Sequence, residues 1–160
     1  MKIIEVLVVE QEKGLFQEIA WNVPLNQVEG FRYLTFRLEV DPGLIIYFYV
    51  IDSSVIPAAD FLEDIFPHIQ RILILGVESA FRKWNFSDEL VQRLEQQYEI
   101  IPTVLVLVVE GDQRAQQGEV IFNSVLYLGN KSRLVNWERG NKEQISRIWE
   151  ILWNPAILEL

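Results

Sequence analysis

The chain has 160 residues, half of them hydrophobic and 12% aromatic, and carries 23 acidic against 14 basic residues for a formal net charge of −9. This hydrophobicity excludes intrinsic disorder and matches one compact domain, residues 1–160, with a sizeable core, while the charge repels phosphate backbones and anionic membranes, so no nucleic acid and no membrane is expected as a partner. With no cysteine and the single histidine His68, disulfides, zinc–thiolate sites and thiol nucleophiles are excluded, and histidine-based metal sites and Ser–His triads are disfavoured.

The opening residues 2–9 read as a first strand, followed by Glu10-Gln11-Glu12-Lys13-Gly14. No apolar run reaches the roughly 20 residues that span a bilayer, and Glu5, Glu10 and Glu12 interrupt the opening in a way no signal peptide does, so a cytoplasmic protein is expected. Residues 15–23 fit two patterns. Leu15, Phe16, Ile19 and Ala20 share a helical face, while Leu15, Ile19, Trp21 and Val23 alternate as in a hairpin strand; a short helix is favoured. Residues 31–40 place Leu34, Phe36, Leu38 and Val40 on one face and Arg37 and Glu39 on the other, as a half-exposed edge strand does. Asp41-Pro42-Gly43 then suits a tight turn, with proline pre-setting φ and glycine accepting positive φ.

Three nearly unbroken apolar runs follow: LIIYFYVI at 44–51, ILILGV at 72–77 and TVLVLVV at 103–109. A strand with one wet face alternates apolar and polar residues, so continuous runs indicate central parallel strands covered on both faces. They stop at Asp52, Glu78 and Glu110. Between them, Pro57 opens a helix carrying Phe61, Leu62, Ile65 and Phe66 and ended by Pro67, and Ser87 caps a second with Leu90, Val91, Leu94 and Tyr98. Residues 119–128 fit either helix or strand, with Ile121, Val125, Leu128 and the stop at Gly129 favouring helix. A short strand at 134–137 precedes a final helix opened by Asn141, with Gln144 three residues on, and carrying Ile145, Ile148, Trp149 and Leu152 inward. The fold expected is three-layer α/β: a mostly parallel sheet of about six strands, one antiparallel edge strand in a hairpin between the second and third strands, and helices on both faces.

That order, with phrases such as LIIYFYVID, RILILGVES, TVLVLVVEGD and RLVNWERGNKEQISRIWEIL, resembles the Ras-like small GTPases, closest to those of the bacterial gliding-motility kind, over nearly the whole chain. The resemblance implies a nucleotide site at the carboxyl ends of the strands, yet the family's functional motifs are absent. A phosphate loop needs glycines for close backbone approach and a Lys-Ser/Thr pair for phosphate and Mg²⁺. Residues 10–16 read Glu-Gln-Glu-Lys-Gly-Leu-Phe instead. The Asp-x-x-Gly motif becomes Asp52-Ser53-Ser54-Val55, the Asn-Lys-x-Asp motif becomes Val109-Glu110-Gly111-Asp112, and the Ser-Ala-Lys position becomes Trp137-Glu138-Arg139. Glu10, Glu12, Asp52, Glu78, Glu110, Asp112 and Glu138 would crowd one rim and repel a triphosphate.

The expectation is therefore a non-enzymatic regulatory or protein-interaction module on a degenerate, nucleotide-free Ras-like domain, with no cofactor and with a protein partner or a second copy of the chain as its target. The aromatic and aliphatic residues Trp84, Trp149, Trp153, Ile157 and Leu158 are the candidate interaction residues. The competing reading is a Mg²⁺-dependent enzyme or switch, GTPase-like or like a response-regulator receiver, in which Glu10, Glu12 and Asp52 hold the metal. A receiver needs a helix between its second and third strands, for which Asp41-Pro42-Gly43 leaves no room.

Overall fold

A computed structural model describes residues 1–54, 64–77, 101–109 and 132–153, together with Leu90, Gln92, Leu94 and Gln96. The elements in chain order are β1 (Lys2–Glu10), α1 (Leu15–Ile19), β2 (Asn26–Val28), β3 (Leu34–Asp41), β4 (Leu44–Asp52), β5 (Arg71–Val77), β6 (Thr103–Val109), β7 (Ser132–Glu138) and α2 (Lys142–Trp153). A 3₁₀ turn, Phe66–His68, precedes β5. All seven strands form one sheet in the order β2-β3-β4-β1-β5-β6-β7. β4, β1, β5, β6 and β7 are mutually parallel, and β3 joins β4 antiparallel, so the α/β class and the antiparallel hairpin follow the expectation.

The continuous apolar runs lie where both sheet faces are buried. Alternation along the strands sends Val6, Val8, Leu73, Leu75, Val104, Val106 and Val108 to the face covered by α1 and α2. Leu7, Val9, Ile72, Ile74, Leu105 and Leu107 point the other way, onto Phe66, Ile69, Leu90, Leu94 and Ile101. Each such aliphatic side chain removed from water contributes roughly 1.5–3 kcal/mol, and the two-sided burial explains why no polar residue interrupts β6.

Four expectations change. The sheet has seven strands, because Asn26–Val28 pairs antiparallel with Arg37, Phe36 and Thr35, and so the segment 31–40 is not the edge. Its strand runs Leu34–Asp41. The turn at Pro42-Gly43 closes without a positive φ at Gly43; the Gly43 N–H instead donates to Asp41 Oδ1 at 2.7 Å, and the β3–β4 register shifts between Glu39 and Asp41. The helix expected from Pro57, with Phe61 and Leu62, lies outside the described residues, and Pro67 sits inside the first turn of the 3₁₀ segment, a position that needs no N–H donor. The alternatives for 119–128 and the helix assigned after Ser87, apart from Leu90 and Leu94, lie outside the described residues, as do Trp84, Ile157 and Leu158. No helix among the described residues is long and apolar enough to cross a membrane.

Candidate functional site

The chain leaves β1, returns to β4 on one side and then crosses to β5 on the other, so the strand order reverses around the carboxyl end of β1. Ligand sites of open α/β sheets form at such a reversal. Here it holds Glu10, the Gln11–Gly14 loop, Asp52, Ser53 and Val77.

Gly14, at φ 94°, turns the chain from β1 into α1, a conformation that glycine adopts without a Cβ clash. The turn aims the first amides of α1 back at the strand end, where an anion would be welcome. The chain supplies that anion itself. Glu10 Oε1 accepts the Gly14 N–H at 3.2 Å and Oε2 accepts the Phe16 N–H at 3.0 Å, with the residue only 5% exposed. Burial pushes the Glu10 pKa above its ordinary carboxylate value against the pull of these two amides, and the facing Asp52 charge pushes the same way. On either flank the backbone is sewn shut. The Ser53 N–H donates to the Glu10 carbonyl at 3.0 Å and the Gln11 N–H to the Leu75 carbonyl at 2.8 Å, while Gln11 Oε1 accepts the Val77 N–H at 2.9 Å.

Arg139, just past β7, closes the outer side. Its guanidinium grips both oxygens of Glu18, with Nε at 3.0 and 3.2 Å and Nη2 at 3.0 Å, and Nη1 reaches Glu12 Oε2 at 3.3 Å. The bond to Glu18 is the foremost reason the Arg139 pKa lies above its ordinary value. One exposed arginine thereby joins the end of the last strand to the loop after the first.

The three residues weighed as metal ligands are thus separately engaged. Glu10 binds amides, Glu12 pairs with Arg139, and Asp52 Oδ1 accepts both the N–H and the hydroxyl of its neighbour Ser54. Glu10 and Asp52 do face each other in the β1–β4 register. No group of three or more His, Asp or Glu residues that could hold a metal occurs among the described residues. Glu138 is exposed at the same rim, and its N–H donates to Gln144 Oε1 at 2.6 Å. Glu78, Glu110 and Asp112 lie outside the described residues.

Trp149 and Trp153 both pack inward. Trp149 Nε1 donates to the Ile19 carbonyl at 2.8 Å, and its ring lies against Phe16 and Phe48. Trp153 stacks on Trp149 at 6.4 Å and covers the buried guanidinium of Arg71 at 5.1 Å. Among the described residues, the large apolar side chains exposed instead are Met1, Ile3, Trp21, Phe31 and Val40. Sequence reasoning missed Gln11, Glu18 and Arg139. Between two glutamates, Gln11 reads as solvated, and the Glu18–Arg139 contact spans 121 residues, so no local pattern announces it. No protein-family model matches this sequence, and no curated protein is significantly similar to it.

Proposed function

We propose that the chain is a non-enzymatic regulatory or protein-interaction module on a nucleotide-free, Ras-like α/β domain. The observation that carries this reading is the Glu10 carboxylate seated on the Gly14 and Phe16 amides, the groups that would otherwise face a phosphate. A nucleotide phosphate entering this turn would have to displace a buried carboxylate and would then meet Asp52 and Glu12 with no P-loop lysine to offset them. The antiparallel β3–β4 hairpin followed by parallel strands supports the Ras-like descent. Leu90 and Leu94, helical in backbone and buried against the face opposite α1 and α2, support a three-layer arrangement with helices on both faces. Partners under this reading are a cytoplasmic protein or a second copy of the chain, and no cofactor takes part.

Thermal unfolding of the full chain with GTP or GDP, each with and without Mg²⁺, tests the reading. The expected result is no saturable rise in the midpoint at micromolar nucleotide; a saturable rise would overturn it. Sedimentation of the full chain beside one ending at Asn154 tests the role assigned to Ile157 and Leu158, and an unchanged mass together with unchanged stability removes them from the interaction surface.

A further inference from the structure

At the opposite edge of the sheet from the acidic rim, on the face away from α1 and α2, the start of β1 and the middle of β4 line an open groove of about 460 Å³. Tyr47 and Tyr49 lie along one face of β4, rings nearly parallel with centroids 6.5 Å apart, and Phe31 meets Tyr49 edge-on at 6.3 Å. Glu5 stands beside them, its Oε1 accepting the Tyr49 hydroxyl at 2.8 Å. Gln70 fixes the backbone of Glu5 from both sides, its side-chain oxygen accepting the Glu5 N–H at 3.0 Å and its own N–H donating to the Glu5 carbonyl at 2.9 Å. Burial first, and then Glu5, hold the Tyr49 phenol far above its ordinary pKa, so it remains a donor to the carboxylate. Ile3 and Phe31, on the rim of the groove, are 48% and 47% exposed, among the most exposed large apolar side chains described.

We infer that this groove is the docking surface for a basic, partly apolar segment of a protein partner, with a lysine or arginine side chain entering beside Glu5 over the half-buried Tyr47 ring, which the buried Tyr49 backs. The inference rests on the interaction-module reading and names the surface that reading requires. Three features converge on a cation. Aromatic faces attract ammonium and guanidinium groups, a carboxylate held in place by Tyr49 keeps its second oxygen for a charge-assisted bond, and a chain of net charge −9 draws basic partners by its long-range field. The exposed Ile3 and Phe31 supply the apolar collar that shields such a contact from water.

The test uses the full chain and a peptide of alternating lysine and leucine, with two controls of equal length in which norleucine or glutamate replaces lysine. Binding is followed by amide chemical shifts. Saturable shifts at residues 3–5, 28–31, 47–49 and 68–70 are expected with the lysine peptide and absent with both controls. Glu5→Gln, which still accepts from Tyr49 and so preserves the local fold, and Tyr47→Ala should each weaken binding about fivefold or more. Undiminished binding in Glu5→Gln, shifts scattered over the acidic rim, or no saturable shift at all would each overturn the inference. These results are independent of the nucleotide titration, so failure here leaves the nucleotide-free reading standing.

Discussion

Glu10 and Arg139 make opposite kinds of contribution at the residue scale. The Glu10 carboxylate satisfies two helix amides in a site almost closed to water, and removing it leaves buried donors unpaired, so Glu10→Ala should lower stability by about 1–3 kcal/mol in urea unfolding. Its titration has a definite sign. Because burial raises the folded-state pKa above the ordinary value of 4.5, the folded chain holds this proton more tightly than the unfolded chain. The stability contributed by the protonated group is full below the unfolded value and is lost as pH rises through the folded one. Glu10→Gln, which cannot titrate, should therefore show a flatter stability profile than the parent as pH rises above the unfolded value of 4.5, and parallel profiles would refute the assignment. Arg139 is exposed and its ion pairs are screened. Arg139→Gln should cost about 1 kcal/mol or less at low salt and nearly nothing in about 1 M salt, measured by the same unfolding curves.

At the scale of elements, α1 is too short to persist by itself and is held by what it touches. Leu15, Phe16 and Ile19 are fully buried, and Trp149 of α2 reaches over to bond the Ile19 carbonyl. Trp149→Ala should therefore destabilise by about 3 kcal/mol, whereas Trp149→Phe, which keeps the ring contacts with Phe16 and Phe48, should lose only about 1 kcal/mol with the hydrogen bond. Equal losses in the two variants would mean that the hydrogen bond, not the packing, dominates. The start of α2 was legible in the sequence: the Gln144 N–H does donate to Asn141 Oδ1 at 3.2 Å. The Gln144 side chain, however, turns to the Glu138 N–H and ties the helix to the end of β7 rather than closing a reciprocal box with Asn141. β2 was not legible, since Asn26-Gln27-Val28 has neither alternation nor a hydrophobic run and gains its strand character only by lying along β3.

The whole molecule carries nine more negative than positive charges, and the ion pairs among the described residues join Arg37 to Glu39 and Arg139 to Glu12 and Glu18. Moderate salt should therefore raise the thermal midpoint as self-repulsion is screened; a midpoint that falls steadily from low salt to about 0.3 M would show that the Arg139 pairs dominate instead. The same excess works differently at the two edges of the sheet. At the carboxyl edge Glu10 is bound by amides, Glu12 by Arg139 and Asp52 by Ser54, and at the amino edge Glu5 faces an open aromatic groove.

The sequence by itself determined the sheet's central strands, because continuous Ile, Leu and Val segments have only one way to be buried on both faces, and β6 runs over the same residues, 103 to 109, that the apolar pattern marks. It also shows that residues 10–16 lack the Lys-Ser/Thr pair on which a phosphate loop depends. Tertiary structure alone decided what fills the space instead. The bond from Phe16 back to Glu10 is short in sequence but depends on Gly14 turning the chain, and the contact from Arg139 to Glu12 and Glu18 exists only after β7 and β1 are laid into one sheet. It likewise decided which aromatic residues face water, because Trp149 found Phe16 and Phe48 beneath it while Phe31, at the sheet's other end, meets Tyr49 and stays half-exposed.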